Sequence, residues 1–63
     1  MSIAYETPSK KFFVSREGKA FRVCENQLTH AIVHADYAFK SDSARAFSQA
    51  QQHADKLEQI RHG

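Results

Sequence analysis

Cysteine and histidine are among the residue types in this chain that could bind a metal ion. The candidate ligands are Cys24, His30, His34 and His53. His30 and His34 lie four residues apart, which clusters them on a helix but separates them by roughly 13 Å on a strand. The chain has no Cys-x-x-Cys pair, and its His-x-x-x-His pair does not fall in a secure helix pattern. We therefore predict no metal site and interpret the histidines as solvated side chains.

The same residues could supply a thiol nucleophile and its base, through Cys24 with His30 or His34. No third orienting group is recognisable. Gly18 and Gly63 are the only glycines, so a glycine-rich turn for an oxyanion or a phosphate is absent. The carboxylates are scattered, without an Asp-x-Asp or Glu-x-x-His pattern. We predict a protein that is not an enzyme and needs no cofactor, with Cys24 as a small buried hydrophobe.

The length and composition limit the chain to one small domain. It has 63 residues, a mass of 7.2 kDa, 41% hydrophobic residues and a formal net charge of +2. A domain of this size buries only about 60% of the surface that its unfolded chain exposes, which leaves little room for a deep catalytic cavity. Binding is therefore favoured over catalysis.

The cellular location is predicted from cysteine usage and from the lack of apolar runs. A single cysteine cannot form an internal disulfide, and a domain this small in an oxidising compartment usually carries several. No stretch approaches the ~20 apolar residues of a membrane span, and no signal peptide is visible. We expect a cytoplasmic protein with no membrane partner, and the sequence leaves its oligomeric state open.

Residues 1–9 carry the only proline and predict an N-terminal arm, either extended or a short lead-in strand, before a single α+β domain at 10–63. Within that domain, residues 11–15 and 20–24 are rich in aromatic and β-branched side chains. Gly18 lies between them and can supply the positive φ that a short hairpin loop needs. The two segments predict a β-hairpin.

Residues 27–39 are ambiguous between a helix and a strand. Some apolar residues from Leu28 onward recur at helical spacing, whereas every second residue from Ala31 to Phe39 is apolar, as in a strand. The β-branched pair at 32–33 favours a third strand of about eight residues. We predict the strand, with the helix as the alternative.

The C-terminal segment has the clearest pattern in the chain. Ser41-Asp42-Ser43 offers an N-cap, and an apolar stripe at spacings of 3, 4 and 3 follows it. The stripe consists of Phe47, Ala50, Ala54 and Leu57. The predicted fold is α+β: a three-stranded antiparallel sheet packed on one C-terminal amphipathic helix, in the order β-β-β-α.

One helix can cover only one face of this sheet. The predicted covered face carries Phe12, Val14, Phe21 and Val23, so the opposite face, called the open face below, remains for water or a partner. Its mixture of cations with aromatic and aliphatic groups is typical of surfaces that bind protein or nucleic acid, although cations can also simply solvate a sheet. The predicted partner-binding residues are Lys11, Phe13, Lys19, Arg22, His30, Ile32 and His34.

Two segments resemble a known DNA-binding pattern. Residues 18–23, Gly-Lys-Ala-Phe-Arg-Val, and residues 37–47 are similar to the strand and helix pattern of plant ethylene-response-factor domains and of phage-integrase arm-binding domains. These families lay a three-stranded sheet, backed by one helix, in the major groove of DNA. The resemblance implies that the duplex contacts are Lys11, Phe13, Arg22 and His34.

In size and type the chain also resembles the small inhibitor proteins of phages and other mobile elements, which occlude a host nuclease or a CRISPR surveillance complex. A net charge of only +2 fits recognition of a host protein or nucleoprotein complex better than recognition of a duplex through its phosphates. We therefore expect first a non-catalytic protein that occludes a nucleic-acid-handling host complex, and second a double-stranded DNA-binding module. A structural or oligomer-forming role ranks third.

Overall fold

The computed structural model describes residues 2–62, with side chains placed for residues 3–60. It contains four strands, β1 (Ser2–Glu6), β2 (Phe12–Glu17), β3 (Ala20–Asn26) and β4 (Ala31–Ala38), and one C-terminal helix, α1 (Ser43–His62). The strands form one antiparallel sheet in the order β1-β2-β3-β4. The predicted α+β class, antiparallel sheet and C-terminal helix are confirmed, but the predicted number of three strands is wrong.

The additional strand, β1, is formed by the N-terminal arm. Antiparallel pairing with β2 places Tyr5 beside Val14. The Tyr5 hydroxyl donates a hydrogen bond to Asp55 Oδ1 of α1 at 2.5 Å, and this bond to a carboxylate raises the pKa of Tyr5. β1 is therefore attached both to the sheet and to the helix. Its five residues are too few for a periodic pattern, so the sequence indicated a strand here only as one alternative.

The hairpin of β2 and β3 has the predicted form. The strands pair from Phe12 opposite Glu25 to Glu17 opposite Ala20. Gly18 in the loop has a φ of 59°, so it supplies the left-handed conformation expected of it. This turn sets the register of the two central strands of the sheet.

The ambiguous segment is a strand, and the helix alternative is wrong. β4 pairs antiparallel with β3 along its whole length. The β-branched Ile32 and Val33 favour this extended conformation. The loop before β4 is closed by a hydrogen bond from Gln27 N–H to His30 C=O at 2.8 Å. β4 therefore forms one edge of the sheet, and β1 forms the other.

The core lies between α1 and one face of the sheet. The core alanines of α1, Ala46, Ala50 and Ala54, recur every fourth residue, so they lie on one face of the helix and let its backbone approach the sheet closely. Phe47 and Leu57 lie at the margin of the core and are only partly buried. The predicted packing of the helix on β2 and β3 is confirmed. The core residues, each at most 5% exposed, are Phe12, Val14, Phe21, Val23, Ala46, Ala50 and Ala54.

The helix begins where the sequence predicts. Asp42 Oδ1 accepts a hydrogen bond from Arg45 N–H at 3.1 Å, and Asp42 C=O accepts one from Ala46 N–H at 3.3 Å. This is the geometry of an N-cap, so a carboxylate stabilises the positive end of the helix dipole. The cap marks the end of the loop after β4 and the start of α1, which packs on the sheet.

The alanine face of α1 generates a stability prediction. Ala50 has no exposed surface, so we expect Ala50→Leu to lower the free energy of unfolding by about 1–3 kcal/mol through overpacking. Ala44 is exposed on the same helix, and Ala44→Leu is the matched control, with an expected change below about 0.5 kcal/mol. Urea denaturation measures both variants. Equal stabilities for the two would contradict the packing of α1 on the sheet.

Candidate functional site

A β-bulge in β4 decides which side chains of this strand face the helix. Ala35 pairs with Val23, but the next pair along joins Val33 to Cys24, so His34 is an extra residue. Paired residues share a face of a sheet, and Val23 and Cys24, being consecutive, lie on opposite faces. Ala35 is therefore on the helix side and Val33 on the open face, with the alternation interrupted at His34.

This bulge corrects the predicted placement of Ile32 and His34. Sequence alternation put both on the open face, but Ile32 pairs with Glu25, which in turn pairs with the core residue Phe12 on the helix side. The His34 ring likewise lies against Phe12, with the ring centroids 6.1 Å apart. His30, also predicted on the open face, precedes β4 and lies in the loop. A one-residue irregularity is invisible in a period-two pattern, which is why the prediction was wrong.

Phe13 and Arg22 lie on the open face as predicted, but Phe13 is buried and Arg22 is paired with an acidic side chain. Phe13 pairs with Cys24 and is only 7% exposed, so it is not an exposed aromatic anchor. Arg22 Nε donates a hydrogen bond to Asp36 Oδ1 at 3.0 Å, so its charge is paired with a charge on β4. This exposed ion pair contributes little to stability, but it leaves the open face without a free cation at that position.

Lys11 and Lys19 lie at opposite ends of the hairpin of β2 and β3. Lys11 immediately precedes β2, and Lys19 is in the loop that follows it. The six residues of β2 separate them, which corresponds to roughly 20 Å. The structure therefore does not bring the predicted cations together into one patch.

The centre of the open face is apolar and closely packed. Phe13, Ser15 and Cys24 are each at most 7% exposed, although the one helix within residues 2–62 packs on the other face. The strands on either side carry the exposed Ile3, which pairs with Ser15, and the exposed Val33, which pairs with Cys24. The Ser15 hydroxyl is buried and has no hydrogen-bond partner among the described residues. The open face thus has an apolar centre, containing an unsatisfied hydroxyl, between two exposed aliphatic side chains.

The thiol of Cys24 lies in this centre and is not activated. Burial raises the pKa of Cys24, although the nearby Ser15 hydroxyl and the Arg22 charge act in the opposite direction. The candidate base His34 lies on the other side of the sheet, against Phe12. The predicted role of Cys24 as a small buried hydrophobe is confirmed.

On the helix side, His34 and Glu25 form a polar pair in an apolar cleft. His34 Nε2 lies 2.9 Å from Glu25 Oε1, and Gln27 Nε2 donates a hydrogen bond to Glu25 Oε2 at 3.0 Å. An ionised carboxylate can only accept, so this pairing places the His34 proton on Nε2. The cleft measures about 460 Å³ and is lined by Phe12, Glu25, His34, Leu57 and Ile60.

Sequence reasoning missed the role of Glu25. Glu25 is in phase with Phe21 and Val23 on β3, so the alternation that marks the core continues onto a carboxylate. A charged residue at an in-phase core position needs a partner. The in-phase carboxylate was therefore the sequence signal for this pair, and the bulge in β4 positions His34 as its partner.

On α1, His53 is held by a separate hydrogen bond. Tyr37 Oη lies 2.9 Å from His53 Nδ1, and the two rings meet edge to face. The neighbouring cleft, of about 530 Å³, shares Leu57 and Ile60 with the first one. No group of three or more His, Cys, Asp or Glu within residues 2–62 is arranged to hold a metal ion.

Comparison with protein-family models finds no match, and the comparisons with curated proteins and with solved structures find none either. Among the described residues, no helix combines the length and the apolar character needed to cross a bilayer. The resemblance to the ethylene-response-factor and integrase arm-binding families therefore stays a prediction, and so does the resemblance to inhibitors from mobile elements.

Burial of Cys24 predicts slow modification of its thiol. At neutral pH we expect the folded protein to react with an aromatic disulfide reagent at least about tenfold more slowly than the chain in denaturant, because the thiol is buried and its pKa is raised. The absorbance of the released thiolate measures both rates. Ser15→Ala removes a hydroxyl that lowers the pKa, so it should not accelerate the reaction. Equal rates in the folded and denatured protein would contradict the closed packing of the open-face centre.

Proposed function

We propose that this chain is a small non-catalytic protein that binds another protein through the open face of its sheet. The observation that supports this most is the combination of an apolar centre with the paired charges of Arg22 and Asp36. The target we propose is a host protein or nucleoprotein complex that handles nucleic acid, such as a CRISPR surveillance complex or a nuclease. That target class follows from the resemblance in size and type to the small inhibitors of mobile elements.

The open face has an apolar centre with charged side chains around it, as protein interfaces do: Glu6 beside Phe13, Glu17 beside Ala20, and the ion pair of Arg22 and Asp36. Ile3 and Val33 are exposed on either side of the buried centre, and a partner that covers them removes aliphatic surface from water. Each Å² of apolar surface covered in this way contributes roughly 25 cal/mol. The ion pair of Arg22 and Asp36 can stay intact beside such a contact, because it needs no charge from the partner.

The second candidate function is binding of duplex DNA by the same face. It requires Lys11, Lys19 and Arg22 to contact phosphates. Arg22 is already paired with Asp36, and the two lysines lie at opposite ends of the hairpin. The distribution of charge therefore supports a protein target over a duplex.

Affinity capture from host lysate, with and without added nuclease, tests the protein target. We expect a captured protein that persists after nuclease treatment and is lost with Ile3→Glu, because a charge is then buried against an apolar interface. Ile60→Glu is the matched control, since Ile60 is also an exposed isoleucine but lies on the helix side, and this variant should retain the partner. Loss of the partner in both variants, or in neither, would contradict binding by the open face.

Titration of a labelled random-sequence duplex tests the alternative function. We expect no saturable binding, even at low salt. Micromolar binding that disappears between about 50 and 200 mM salt, and that Lys11→Ala and Lys19→Ala weaken alike, would replace the proposed function by DNA binding. Lys56→Ala, on the exposed side of α1, controls for a general loss of positive charge.

A further inference from the structure

Strand β4 forms a free edge of the sheet. The strand order ends at β4, so the outer side of its eight residues has no neighbouring strand within residues 2–62. Alternate residues of an antiparallel strand turn their N–H and C=O groups towards the same neighbour. After β4, Phe39 N–H donates to Lys19 C=O, and before β4, His30 C=O accepts from Gln27 N–H, so the backbone groups of Phe39 and His30 both point towards β3. Counting inward from these two residues shows which residues of β4 point away from β3. The residues that turn their backbone groups to the free side are Ala31, Val33, Asp36 and Ala38.

This edge lacks most of the features that usually keep strand edges from pairing. Protected edges are short, carry lysine or proline, or are twisted by a β-bulge, and of these β4 has only the bulge at His34. The opposite edge, β1, has five residues and is followed by Pro8. β4 is longer and contains no lysine, arginine or proline. Its Asp36 and His34 side chains are directed to partners within their own sheet, so they do not repel a neighbouring strand.

Apolar side chains are exposed on both faces of this edge. Ile32, on the helix side, is 42% exposed, and Val33, on the open face, is 49% exposed. A small molecule or a helix packed on one face covers only one of them. A neighbouring β-strand covers both, because its side chains alternate between the two faces. The occupant that fits this edge is therefore another strand.

We propose that β4 pairs antiparallel with β4 of a second copy of this chain, so that two four-stranded sheets join into one continuous sheet. The strand is complementary to itself about a two-fold axis at Val33, where the two valines meet. The bulge makes the step from Val33 to Asp36 equal to two residues of β3, the same as the step from Val33 to Ala31, so Asp36 of one copy lies opposite Ala31 of the other. The net charge of +2 adds little repulsion between copies. This proposal does not rest on the proposed function, and the dimer would place two open faces side by side.

Sedimentation equilibrium of the unmodified chain tests the dimer. We expect a mass about twice the 7.2 kDa of the chain, falling towards 7.2 kDa on dilution. Ala31→Pro removes an N–H on the free side of β4 at the first residue of the strand, where proline is tolerated, so the pairing with β3 is retained. It should weaken dimerisation at least about tenfold, because one hydrogen bond is lost from each copy. Ala4→Pro is the control on the opposite edge, at the unpaired residue of the β1 bulge, and should leave the dimer unchanged.

A monomer at every attainable concentration, or a dimer that Ala31→Pro leaves unchanged, would overturn the proposal. If Ala31→Pro does not fold, amide hydrogen exchange of the unmodified chain decides instead. Rising protein concentration should then slow exchange at Val33, Asp36 and Ala38 but not at Ala4, and rates independent of concentration would overturn the proposal. These results are separate from the capture experiment, because Ile3 lies on the other edge of the sheet.

Discussion

The contact between the alanine face of α1 and the large side chains of β2 and β3 organises the whole chain. Ala46, Ala50 and Ala54 bring the helix close to the sheet, and Phe12 and Phe21 are the largest side chains of the buried core. A single helix covers only one face of a four-stranded sheet. This contact therefore decides which face of the sheet stays uncovered, while the strand order leaves β4 at the edge beside that face.

The bulge in β4 divides that strand between the two faces. It turns His34 towards Glu25, so a buried carboxylate has a partner, and it turns Val33 outward beside Cys24. An unpaired carboxylate at the position of Glu25 would cost several kcal/mol. The same irregularity therefore stabilises the helix side and gives the open face an aliphatic group in place of an imidazole. This exchange supports the proposed protein partner over a partner recognised through its phosphates.

The hairpin, the helix cap and the apolar stripe of the helix could be predicted, because each depends on local residue preferences or on a single period, although Phe47 and Leu57 of that stripe are only partly buried. The faces on which Ile32 and His34 lie could not be predicted, since a register shift of one residue leaves the composition of the strand unchanged. The burial of Phe13 depends on the strands that flank β2, one of which is too short for a periodic signal. The pairing of Arg22 with Asp36 depends on the register between β3 and β4, which alternation alone does not determine.

The division of β4 side chains between the two faces is the central claim, and through-space NMR contacts test it most directly. We expect nuclear Overhauser contacts between the ring protons of His34 and Phe12, whose ring centroids lie 6.1 Å apart, and between the methyl groups of Val33 and the β-protons of Cys24. Contacts of His34 with Cys24 or Phe13 would contradict the claim. They would place the imidazole on the open face and remove the apolar surface on which the proposed protein binding depends.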